Sequence, residues 1–191
     1  MSTRRSFLKS SAAAVGGSWA IAGAPAALAI FDLACSNQAA GHFAVLSEAE
    51  AAEIEALTAL IIPSDGTGPG AREAGVVWYV DAALSQDHEG LAHVQAELKS
   101  LQEAVFSTYG VSALADLSPD DQLAFARSIE DTDFFSETRD ATLSGMLANP
   151  SHGGNRDKLG WQLIGFDDRH AWQPPFGHYD APYHATPSSD T

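Results

Sequence analysis

Between His88 and Tyr109 the apolar residues Leu91, Val94, Leu98, Leu101 and Val105 recur at alternating steps of three and four. That spacing places all five on one face of an α-helix, and Gly110 supplies the stop that follows its last turn. The stripe needs other apolar helices to cover it, and the flanking sequence provides them. From Ser47 to Ile62, Ser47 and Glu50 form a capping box, Ile54, Leu57 and Ile61 share a face, and Pro63 ends the helix. The next segment, Ser64 to Gly70, has the composition of a loop. A further helix is expected from about Ala71 to Leu84, stacking Val76, Val80 and Leu84 at four-residue steps, with Val77 and Trp78 widening the apolar side. Ser118, Pro119, Asp120 and Asp121 read as N-cap, N1 proline and acidic first turn of a helix reaching about Ile129. A fifth helix should run from about Thr132 to Leu147 and end before Pro150.

Beyond Pro150 glycine, aromatic residues, proline and histidine take over, and no helical period is evident. Trp161 to Phe166 is the one apolar run a strand could use, and one strand makes no sheet. The expected fold is all-α: a small domain of about five helices with a long, irregular, aromatic-rich C-terminal arm from about residue 150.

The N-terminus is of another kind. Arg4 and Arg5, followed by Phe7, Leu8 and Lys9, form the signal that a twin-arginine translocase reads. The Ala/Gly-rich stretch behind it, interrupted by Gly16, Gly17, Gly23 and Pro25, is too weakly apolar for a membrane span. Ala27 and Ala29 give an A-x-A cleavage site. The organisation read from this is a signal peptide over 1–29, a linker over 30–45 and one helical domain over 46–191. The destination is the periplasm. Because this route carries folded proteins, the chain either takes a cofactor before export or leaves with something that does. Cys35 is the single cysteine, so no internal disulfide forms. The sequence before it resembles a lipoprotein box, with Asp32 where an aliphatic residue is expected.

The chain carries a formal charge of −15. Removing 1–29 takes away Arg4, Arg5 and Lys9 and no acid, leaving 7 basic against 25 acidic side chains, or −18. Nucleic acid is excluded as a partner, since binding it needs basic side chains in place of the counterions on its phosphates.

Several segments could carry chemistry. Gly66 to Ala71 matches G-x-G-x-x-A, but a helix and a proline precede it where a dinucleotide turn needs a strand, and Pro69 removes a backbone donor. It reads as a connector. His152, His170, His178 and His184, with Asp168 and Asp180, could ligate a metal, but they lack a diagnostic spacing. There is no C-x-x-C-H for haem and no G-x-S-x-G elbow. Glu48, Glu50, Glu53 and Glu55 read as the solvated face of the first helix. No catalytic, cofactor-binding or metal residue is assigned. The aromatics Trp161, Phe166, Trp172, Phe176, Tyr179 and Tyr183 must be covered, either by folding back on the helices or by a partner, for which Trp and Tyr are favoured anchors. Trp161, Phe166, Trp172, Phe176 and Tyr179 are the candidate docking residues.

Two runs carry a resemblance. Leu60 to Asp65 with Pro69 to Val76, and later Asn149 to Arg156 with Gly160 to Phe166, resemble the gluconate 2-dehydrogenase subunit 3 family over roughly 46–166. Ser151-His152 departs from it, standing where the family tends to have an aromatic residue before Gly-Gly-Asn. The resemblance implies a helical accessory subunit without catalytic residues. It would bind a large flavoprotein of the glucose-methanol-choline type, assist its maturation and lend it an export signal. FAD would sit in that partner, a cytochrome c subunit is a further expected partner, and the complex could associate with the inner membrane. The rival readings are a self-sufficient periplasmic metalloenzyme using the C-terminal histidines and an independent binding or structural module.

Overall fold

A computed structural model describes residues 41–169. Arg4, Arg5, Phe7, Leu8, Cys35, His170, Trp172, Phe176, His178, Tyr179, Asp180, Tyr183 and His184 lie outside the described residues. Within them the fold is all-α: α1 (Glu48–Ile61), α2 (Val76–Leu84), α3 (His88–Tyr109), α4 (Pro119–Ser128), α5 (Asp133–Leu147) and α6 (Leu159–Leu163), with short 3-10 turns at Leu114–Asp116, Pro150–His152 and Arg156–Lys158. No strand occurs among the described residues.

Helix starts follow the sequence closely. Ser47 and Glu50 close their reciprocal capping box, Asp87 caps α3 through Gly90 N–H, Ser118 caps α4 ahead of Pro119 and Thr132 caps α5. Each such cap satisfies a donor that a helix leaves without an intrahelical partner, typically stabilising by about 1 kcal/mol. The expected start of α2 at Ala71 is corrected to Val76. Gly75 adopts a left-handed φ of 69°, and so the turn from Ala71 does not run continuously into the helix.

The core gathers Leu57, Val76, Val80, Leu84, Val94, Leu98, Leu101, Val105, Leu114, Phe125 and Met146, all buried. α1, α2 and α5 pack on one another, α3 lies against α1 and α2, α4 leans on α1, and α6 on α5. The stripe of α3 is used as its spacing demands: Val94, Leu98, Leu101 and Val105 are buried, and Leu91 is half-buried against the cluster. Burying one such side chain stabilises by roughly 1.5–3 kcal/mol.

Two acids sit in this interior. Asp81 accepts from the backbone N–H groups of Ala44 (2.7 Å), Val45 and Leu46 (both 3.0 Å), while Phe43 stacks on Trp78 with ring centroids 4.3 Å apart. The last residues of the stretch read as linker are thereby fixed to α2. Glu53 corrects the reading of a wholly solvated acidic face. It is 1 % exposed, accepts from Leu114 N–H at 2.9 Å and from the Gln102 amide at 3.2 Å, and so ties α1 to α3 and to the turn after it. Burial pushes its carboxyl above the ordinary range, while the Gln102 and Leu114 donors pull the other way and Asp116 adds to the rise.

The segment after Pro150 is also corrected. Within it Leu159–Leu163, which includes Trp161, forms the short helix α6 and folds back on α5, while the rest up to Phe166 consists of 3-10 turns and irregular backbone with left-handed residues at Asn155, Asp157 and Lys158.

Candidate docking surface

The arm is fastened by a small polar and glycine device. Asn155 is fully buried; its Nδ2 donates to Ala148 O and its Oδ1 accepts from Gly160 N–H, both at 2.8 Å. One side chain thus joins the end of α5 to the start of α6. Its φ of 47° is left-handed, a conformation that asparagine tolerates better than most residues. The glycines around it are there for space. A Cβ on Gly160 would stand 1.8 Å from Met146 O, and one on Gly154 would stand 2.2 Å from Gly145 O.

The loop between α1 and α2 is closed by similar means. Ala71 N–H donates to Ile62 O at 2.9 Å, and a Cβ on Gly70 would meet Ile62 O at 2.5 Å. Asp65 accepts from the Thr67 hydroxyl and from the Thr67 and Gly68 N–H groups, which hold its carboxyl below the ordinary range. The two amides at the centre of the glycine run are therefore engaged within the loop, and a helix, α1, precedes it. An open cleft of about 270 Å³ beside the loop is lined by Leu60, Ile62, Pro63, Arg72 and Gln122 among others. The two separated sequence runs meet directly: Arg156 N–H donates to Ala74 O at 2.9 Å, and Leu163 leans on the backbone at Gly68.

Of the expected docking residues, the structure brings Trp161 and Phe166 together, edge to face with centroids 5.2 Å apart. Trp161 is half-buried, and its indole N–H donates to Leu147 O at 2.8 Å, so it braces α6 on α5. Phe166 stays 46 % exposed. Trp172, Phe176 and Tyr179 lie outside the described residues. Sequence reading missed the aliphatic side chains around this pair. Leu143 (46 %), Leu147 (40 %), Leu163 (44 %) and Ile164 (60 %) are all exposed, and Leu143 lies one helical turn before Leu147 on α5. The signal was present in the sequence, since residues 143 and 147 fall beside the buried stripe containing Thr142 and Met146.

Among the described residues no group of three or more histidine, cysteine or acidic side chains is placed to hold a metal. Asp168 pairs with Lys158 at 2.8 Å. Partial burial lowers the pKa of His152. No described helix is long and apolar enough to cross a membrane.

The family described as gluconate 2-dehydrogenase subunit 3 matches residues 48–168. That span runs from the first turn of α1 through the arm. No curated protein and no solved structure matches the chain.

Proposed function

Because the chain belongs to the gluconate 2-dehydrogenase subunit 3 family and is thereby a dehydrogenase subunit, we propose that it is the non-catalytic small subunit of a periplasmic, FAD-dependent sugar or polyol dehydrogenase. The catalytic partner is a flavoprotein of the glucose-methanol-choline type, with a cytochrome c subunit as a further member of the complex. The chain assists the partner's maturation and carries it through the twin-arginine translocase, and the complex acts in the periplasm, where it can associate with the inner membrane.

The observation that carries this reading is the family match over the whole folded body, preceded by Arg4 and Arg5. The anchoring of residues 44–46 by Asp81 supports the escort role. A leader joined to the domain at that point transmits the pull of export to α2 and hence to whatever the domain holds.

Replacing Arg4 and Arg5 by lysine in cells that make both subunits tests the escort role. Both proteins should stay in the cytoplasm. Normal periplasmic levels of the flavoprotein would refute it. The purified chain alone should be colourless and without dehydrogenase activity, and a stoichiometric flavin spectrum from it would overturn the non-catalytic assignment.

A further inference from the structure

We infer that the face formed by Leu143 and Leu147 of α5 with Ile164 and Phe166 at the end of α6 is where this subunit seats the dehydrogenase's catalytic subunit, which meets it with an apolar patch of its own rimmed by basic residues. The inference rests on the accessory-subunit reading above and adds the surface and its chemistry. The four side chains are 40–60 % exposed. The elements that carry them are joined by the Trp161 indole on Leu147 O and by the Trp161–Phe166 ring contact. Behind them the backbone is locked by Asn155 and by the close approach of Gly160 to Met146. A rigid apolar face loses little conformational entropy when it is covered, which favours binding.

Charge selects the occupant. Residues 41–142 hold 4 basic and 19 acidic side chains, whereas residues 143–169 hold 3 of each, Arg156, Lys158 and Arg169 against Asp157, Asp167 and Asp168. The apolar face is thus a neutral island on a strongly acidic body. Two copies meeting there would bring two such bodies within about a Debye length, roughly 8 Å at physiological salt, and repel. An anionic membrane surface would be repelled in the same way. A protein surface with an apolar centre and a basic rim meets the island and the acidic body together, and its charge also steers encounter.

The test uses full-length chains. Leu143→Arg with Ile164→Arg places two cations on the face opposite the partner's basic rim, and Phe106→Arg serves as control, because Phe106 is an exposed apolar residue on α3 (62 %) away from it. In titrations with purified catalytic subunit, the double variant should bind at least about 30-fold more weakly, as loss of a central anchor does. The control should bind within twofold of wild type, and circular dichroism should be unchanged in both. Free wild-type chain should bind an apolar dye and sediment as a monomer, with the dye signal reduced in the double variant.

If wild type binds but the double variant binds equally well, the surface assignment fails while the accessory-subunit reading stands. If wild type itself does not bind the flavoprotein, that reading fails and the assignment falls with it. A wild-type dimer dispersed by the double substitution would assign the face to a second copy. A free chain that binds no dye would show that its own residues cover the face. Either result overturns the proposal.

Discussion

Helix α3 and the arm from Pro150 to Phe166 are held to the same body by opposite means. α3 contributes a row of interchangeable aliphatic side chains, Val94, Leu98, Leu101 and Val105. Its attachment is spread over many small contacts, and no single atom of it is indispensable. The arm contributes one buried amide, Asn155, and two glycines whose hydrogens face carbonyl oxygens of α5. Each of these is specific to its place. A stripe therefore tolerates conservative change, whereas a latch of this kind fails at one position, and the two regions should respond differently to single substitutions.

The sharpest way to break the comparison is Gly160→Val. Its Cβ would overlap Met146 O at 1.8 Å, and no side-chain rotation relieves a clash with backbone. The expected cost is about 3–5 kcal/mol, at the upper end for a single substitution. It should fall on the arm first: hydrogen exchange at residues 155–166 should accelerate while that of α3 stays slow. An unchanged urea midpoint would show that α6 is not latched as described.

Leu98→Ala probes the other region. Leu98 is 2 % exposed, and truncating a buried leucine costs about 3 kcal/mol, from lost transfer free energy plus the cavity left behind. Here the loss should be global, with α1, α2 and α3 exchanging together, because the stripe faces both neighbouring helices. Protection lost in the arm alone would contradict the assignment of α3 to the common core. Leu98→Met should recover most of the stability, as volume-conserving swaps do. No comparable conservative rescue exists at Gly160.

The same contrast explains what could be read from the sequence. α3, α4, α5 and the capped start of α1 were legible because periodicity and caps are local signals. Two runs from distant parts of the chain, Leu60 to Val76 and Asn149 to Phe166, were legible as a family resemblance, but their meeting at Ala74 and Arg156 was not. No local pattern encodes a contact between a loop amide and a carbonyl so far away in sequence. α6 was missed because a five-residue helix is too short to show a period, and Gly160 within it reads as a breaker. At the candidate surface the aromatic pair drew attention through composition. Leu143, Leu147 and Ile164 carry no such compositional signal, and only the structure shows them uncovered.

The smallest expected effect concerns Glu53, one of the two acids buried in the interior. It was missed because it lies among glutamates that stay at least partly exposed, although it directly precedes Ile54 on the side of α1 that also buries Leu57. Burial raises its folded pKa above the ordinary value near 4.5. The folded chain therefore binds this proton more tightly than the unfolded chain does. Above the folded pKa the carboxylate is charged in both states, and its desolvation counts against folding. As pH falls through the folded pKa toward the unfolded one, the folded state takes up the proton first and that opposition is relieved. Stability arising from Glu53 should thus rise as pH is lowered through the folded pKa toward the unfolded value near 4.5, opposite to what a salt-bridged surface acid would give. Glu53→Gln keeps the shape and can still accept from Leu114 N–H, but it has no proton to bind. Urea unfolding of both proteins at several pH values isolates the effect. The stability of wild type minus that of Glu53→Gln should increase on acidification, and a difference that is flat or falls would mean that Glu53 is solvated in the folded chain.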